Sequence, residues 1–317
     1  MSAARLGYRH WQGRRTGRAA RVSAIARVGV TVSWRSIWLR RIVYMAWLPV
    51  LFWGAGFLAF ESIRVVEGSA ADGGGVPRMF FDLLIESLQD GRALPRDAND
   101  ARHLVWSFLM LRFFASTQTF FLFLIVGQVA PPLVSRDFAT RAHLLYFSRP
   151  VDRVQYVLGK AATVGAYIVA VTTLPALGLY VVALLAAYDW STLVATWDIP
   201  LRIVASSTVL VIPMASLSLA MSAATRRPRF AQAGWFAVWI GGWMLYGGAS
   251  VDEVTNGSGG FGSAAHLLSF FHTLRRAQSS VFGLPEGPSG AAFAVLTAIS
   301  AVSLAFVAKR VYAPIRE

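Results

Sequence analysis

Three groups of side chains in this 317-residue chain have types and spacings that suit chemistry. Asp82, Glu86 and Asp90 fall at i, i+4 and i+8, so a helix there carries three carboxylates on one face. Such a face suits general acid–base work or a cation. Phe80 and Leu84 lie opposite, so a solvated amphipathic helix also explains the pattern. The five histidines are 10, 103, 143, 266 and 272, and none sits in an H-E-x-x-H or comparable ligand spacing. His266 and His272 share one loop without an adjoining acid, so no metal site is expected. Cysteine is absent, which excludes a thiol nucleophile and a disulfide scaffold. Arg153, Tyr156 and Lys160 form the third group, a helical stripe at i, i+3 and i+7 suited to lipid phosphates or to orienting a loop for a partner. Gly159-Lys160 is followed by Ala161 and lacks the upstream glycine of a phosphate-binding loop, so this chain is not expected to bind ATP.

The elements that position these residues are read from hydropathy. Hydrophobic residues make up 56% and charged ones only 15%, which argues against an ordinary soluble domain and against disorder. Stretches free of Asp, Glu, Lys and Arg at 42–60, 113–135, 161–188, 203–225, 230–251 and 287–308, the second extended back towards Leu104, predict an all-α polytopic membrane protein with six spans, at about 42–60, 104–130, 161–188, 201–224, 230–250 and 289–308. The net charge of +14 is distributed unevenly. Residues 1–41 hold ten Arg and no acid, and the 131–160 loop, the 226–229 link and the 309–317 tail are also basic. The outer loops 61–103 and 251–288 are acidic on balance. This alternation places both termini in the cytoplasm and makes anionic lipid, not nucleic acid, the partner of the basic charge. Residues 1–35 have the composition of a mitochondrial transit peptide, yet a cytoplasmic arm is the preferred reading, with an interfacial helix anchored by Trp34, Ile37 and Trp38. A multi-pass protein of a bacterial inner membrane is expected.

Within the spans, Gln118 and Gln128 stand out as polar groups that either line a translocation path or join helices. Pro49, Pro175 and Pro213 each remove a backbone donor and are candidate hinges, with Thr172 and Thr173 placed to bond freed carbonyls and to border the same path. No Asp, Glu, Lys or Arg lies deep in a span, which favours an energy source outside the membrane over ion coupling. Trp235, Trp239 and Trp243 recur at i, i+4 and i+8 and suggest a lipid- or partner-facing stripe. Met79 to Leu88 reads as an amphipathic helix of the first outer loop. Ala264 to Phe282 reads either as a helix at or dipping into the interface or as a loop helix packed on the bundle.

The 131–160 connection is too long to be a turn. Ser135 or Asp137 is positioned to cap a short helix through Tyr146. Ser148 is positioned to cap a second, with Pro150 in its first turn, that runs into the third span.

The run Ser148-Arg149-Pro150, followed by Arg153, Tyr156, Gly159 and Lys160, resembles the cytoplasmic loop of ABC-2-type permeases, the membrane subunits of ATP-binding-cassette transporters. Arg136-Asp137 and Leu144-Leu145-Tyr146-Phe147 stand where that loop has an acidic or Arg-Asp segment and a leucine–tyrosine phrase, and Pro175 also looks like a family feature. The resemblance implies an ABC-2 exporter permease fold and no catalysis by this chain. It implies a coupling helix received by a separate ATPase, which would bind ATP and Mg²⁺, and a second permease copy as dimer partner. Arg136, Asp137 and Arg141 would contact the ATPase, Leu144, Leu145, Tyr146 and Phe147 would anchor the loop, and Arg149 and Lys160 would hold it at the headgroups. A membrane-embedded enzyme using His266, His272 or the acidic outer face, and a non-transporting scaffold, are the alternatives.

Overall fold

A computed structural model of the chain describes residues 17–67, 98–142, 151–256, 266–284 and 289–312. Every regular element among them is helical. The expected Met79–Leu88 helix with Asp82, Glu86 and Asp90 lies outside the described residues, as do His143, Leu144, Leu145, Tyr146, Phe147, Ser148, Arg149 and Pro150.

Among the described residues, five helical runs are long and apolar enough to cross a membrane: Ile37–Ser62, Asn99–Ala139, Arg153–Ala187, Ile199–Ala224 and Gly290–Val311. The sixth expected span is the helix Pro228–Asn256, whose 29 residues reach about 43 Å. It falls outside that set because Trp and Gly dilute its hydropathy.

Helix α1 (Arg18–Trp34) does not stand apart as a surface anchor. It lies along α7 (Arg153–Val171), and two glycines allow the approach. A Cβ on Gly29 would collide with Thr163, and one on Gly159 would lie 2.6 Å from Ile25. The Tyr167 hydroxyl donates to the Val30 carbonyl at 3.1 Å, and Trp34 stacks on the Tyr167 ring. Of the three expected anchors, Ile37 and Trp38 open α2 (Ile37–Met45) and are well exposed, while Trp34 is engaged by α7. After a turn at Ala46-Trp47, α3 (Leu48–Glu67) begins, so Pro49 occupies a first helical turn, where a missing N–H is harmless, at the α2–α3 junction midway along the Ile37–Ser62 run.

The second span is α4 (Ala98–Thr117), one wide π-helical turn (Gln118–Leu122) and α5 (Phe123–Val129). The sequence reading ends it at 130 and starts a loop at 131. Instead Ala130 stays helical and the chain runs straight into α6 (Pro131–Ala139). Prolines are tolerated there because they occupy the first turn of α6. Ser135 is therefore inside a helix, its hydroxyl bonded to the Pro131 carbonyl, and is not a cap.

The third span breaks at Thr172, between α7 and α8 (Thr173–Ala187), because the Pro175 ring cannot coexist with a regular preceding turn. Its start is capped by Asp152 in a reciprocal box with Gln155, while the expected cap Ser148 lies outside the described residues. A short α9 (Trp190–Ala195) leads to α10 (Ile199–Ala224), which passes through Pro213 without interruption. Then come α11 (Pro228–Asn256), α12 (Phe270–Val281) and α13 (Gly290–Tyr312). Trp235 and Trp239 are buried against Phe123 and Phe270, and the Trp235 indole donates to the Phe123 carbonyl at 2.9 Å. Only Trp243 of the expected stripe is half exposed, because α5 and α12 cover the other two.

Helix α12 is a wedge between spans. Phe270, Phe271, Leu274 and Gln278 are buried, and the Gln278 amide donates to Ser206, two turns inside α10, at 3.0 Å. It packs into the bundle, an arrangement that both sequence alternatives allow.

Ion pairs tie the opposite, expected outer, ends of the helices together. Arg102 grips Glu61 with two nitrogens at 3.2 and 3.1 Å, Trp106 donates to the same carboxylate, and Arg102 also reaches Thr192. His103 and Arg202 share Asp198, and Arg202 bonds the Val281 carbonyl. Partial burial pushes the Asp198 carboxyl up, but the hydrogen bonds from His103 and Arg202 outweigh it and hold it below the usual carboxylate range.

Candidate functional site

The site is built on α6, which leaves the basic end of the second span. Its first turn is short of donors, since Pro131 and Pro132 have no N–H, and its next amides need an acceptor. Ser222 on α10 supplies one. Its hydroxyl accepts from the Val134 and Ser135 amides, each at 3.1 Å, and donates to the Pro131 carbonyl at 2.6 Å. Ser222 is fully buried, so these bonds form without competing water.

The other end of α6 is held by α7. Asp137 accepts from Lys160 Nζ at 2.8 Å and from the Tyr156 hydroxyl at 2.7 Å, both on Oδ2. Tyr156 and Lys160 stand four residues apart on α7 and therefore share a face. The ammonium lies 5.4 Å from the Tyr156 ring centroid, close enough for a cation–π attraction. Tyr156 is fully buried, and the Lys160 side chain is 8% and that of Asp137 16% exposed. These two residues of the Arg153, Tyr156, Lys160 stripe thus face inward and hold α6, not lipid phosphates. Asp137 likewise points into the protein.

Two residues of the set remain outward. Arg136 and Arg141 are exposed, and Arg141 turns the chain with a left-handed backbone, φ 56°, just beyond α6. Arg153 is half-buried at the start of α7. The polar residues expected along a path are dispersed. Gln128 is exposed and bonds Gln232 on α11 at 3.0 Å. Thr172 bonds the Ile168 carbonyl of its own helix, and Thr173 donates to Ser207 on α10, both buried. The Gln118 side chain lies outside the described residues.

A cavity of about 450 Å³ opens beside α6, between α1, the α5–α6 junction and the start of α11. The Asp137–Lys160 pair forms part of its wall. Among the described residues no group of three or more His, Asp or Glu is arranged to hold a metal ion.

Ser222 went unnoticed in the sequence. The available signal was the Ser218-x-x-x-Ser222 spacing on one face near the end of the fourth expected span, combined with a Pro-Pro pair whose helix needs external acceptors.

Apolar helices of spanning length and a short helix, α6, bonded to both α10 and α7 describe a polytopic membrane protein. The chain belongs to the ABC-2 family of transporter proteins, whose family model matches residues 76–312. No curated protein matches it. It is therefore a membrane subunit of the ABC-2 permease type.

Proposed function

We propose that this permease exports a substrate across a bacterial inner membrane, driven by a separate ATPase that docks on the 131–160 loop and itself binds ATP and Mg²⁺. The observation that carries this reading is the double attachment of α6, to α10 through Ser222 and to α7 through Asp137. A push on a helix fixed in this way moves both spans instead of bending a loop. Arg141, beyond the clamp and exposed, supplies a charge for the ATPase surface. Leu144, Leu145, Tyr146, Phe147 and Arg149 complete the docking segment. Both termini lie on the ATPase side. A second permease copy packs on the apolar faces of α3 and α11, where Leu51, Phe52, Met244 and Leu245 are well exposed.

The test is purification of the tagged permease from its own membranes in gentle detergent, with co-purifying proteins identified by mass spectrometry. A stoichiometric ATPase carrying a phosphate-binding loop is expected with the wild type, and its loss with Arg141→Glu. An intact permease that brings no ATPase overturns the proposal.

A further inference from the structure

The cavity beside α6 has a chemistry that the transport reading does not use. Its wall is divided. Arg136 and Arg229 contribute two guanidinium groups, and Val28 and Val32 contribute an apolar edge. Among the described residues neither arginine has a carboxylate partner within salt-bridge distance. Among the described residues the one acid in the wall, Asp137, is neutralised by Lys160. The cavity is thus net positive by two fixed charges. Gln232 donates to the oxygen of Gln128, which leaves the Gln128 NH₂ as a further donor in the same wall.

We propose that this cavity binds a phosphate-bearing anion, with Arg136 and Arg229 as its charged donors and the Gln128 amide as an orienting donor. Guanidinium groups match phosphate oxygens in both charge and geometry. The volume falls within the range of ordinary ligand sites, roughly 300–1,000 Å³. Val28 and Val32 are about half exposed at the rim, which suits a phosphate that carries an apolar chain. Their helix α1 carries Arg18, Arg21 and Arg27 and leads into the spanning run Ile37–Ser62, so a lipid headgroup is the occupant at hand. A soluble phosphate satisfies the same donors.

The experiment measures binding to the purified permease alone, so its outcome is independent of any ATPase. Delipidated protein in neutral detergent is titrated with dioctanoyl phosphatidylglycerol, with uncharged dioctanoylglycerol and with inorganic phosphate, and bound ligand is read by native mass spectrometry. Saturable binding of the phospholipid without a response to inorganic phosphate identifies a lipid-borne phosphate. Saturable binding of inorganic phosphate at similar strength identifies a free one. Either outcome supports the site if the Arg136→Gln/Arg229→Gln double variant binds roughly tenfold or more weakly. The Lys pair at the same positions should be intermediate, since it keeps charge and loses the fork. Arg226→Gln/Arg227→Gln, on the same link but outside the cavity wall, should bind as the wild type does. Equal loss in that control, unchanged binding in the double Gln variant, or binding of dioctanoylglycerol as strong as of the phospholipid overturns the proposal. Both arginines are exposed, so the variants are expected to fold, which an unchanged melting profile verifies.

Discussion

Severing the Asp137–Lys160 clamp should detach α6 from α7 at a measurable cost in stability. Deleting one partner of a buried ion pair typically costs about 3–5 kcal/mol, because the other charge is left without compensation. Here both residues border an open cavity, so water reaches the survivor and the low end applies. Asp137→Leu is expected to cost about 3 kcal/mol, since it strands the Lys160 ammonium and frees the Tyr156 hydroxyl. Lys160→Met should cost about 2 kcal/mol, because Tyr156 still serves the carboxylate. The double variant removes both charges together and should cost about 3 kcal/mol, which gives a coupling near 2 kcal/mol. The assay is reversible unfolding in mixed micelles with rising dodecyl sulfate, accompanied by amide exchange across residues 131–139. The single variants should raise exchange there before global unfolding. Single-variant costs that add to within about 0.5 kcal/mol, with α6 exchange unchanged, would refute the clamp.

Three further outcomes follow from other contacts. Ser222→Ala should cost about 1–3 kcal/mol and selectively speed exchange of the Val134 and Ser135 amides, because it removes their acceptor in a buried place; exchange spread evenly over the protein would contradict this. Gly159→Leu should push α1 off α7, and adding Ile25→Ala should restore part of the fit; maleimide labelling of Ala26→Cys, clean in a chain without cysteine, reports the gap. His272 stacks on Tyr246 and bonds Ser269, and burial, with Arg275 and His266 nearby, lowers its pKa to about 4. The fold thus favours neutral imidazole, while the unfolded chain takes up a proton near pH 6.5. This contribution is complete above pH 6.5 and declines as the pH falls towards about 4, by about 1–2 kcal/mol after allowance for its partial exposure. A melting profile of His272→Gln should lack that decline.

The charge-free stretches fall on helical runs, five of which, among the described residues, have spanning length and apolarity. Boundaries fared worse where a tertiary partner decides them. The second span overruns its expected end because Ser222, eighty-odd residues away, satisfies the amides that the Pro131-Pro132 pair cannot. The Trp235–Trp239 stripe reads as surface until α12, separated by a Gly-rich stretch, covers it. In the loop motif, Asp137, Tyr156 and Lys160 were recognisable as a group by family resemblance. That they bond one another, and so form an internal clamp in place of an outward docking face, depends on the angle between α6 and α7, which spacing along one helix does not encode. The α1–α7 contact was hidden for a similar reason, because a single glycine in each helix carries it.

The most direct test of the lever account is a photo-crosslinking amino acid placed at Arg141 and, in a second protein, at Val194, an exposed residue of α9 at the expected outer end of the bundle. Irradiation of native membranes followed by mass spectrometry should yield a nucleotide-binding ATPase from position 141 and none from position 194. No ATPase adduct at 141, or equal adducts at both positions, would contradict the account.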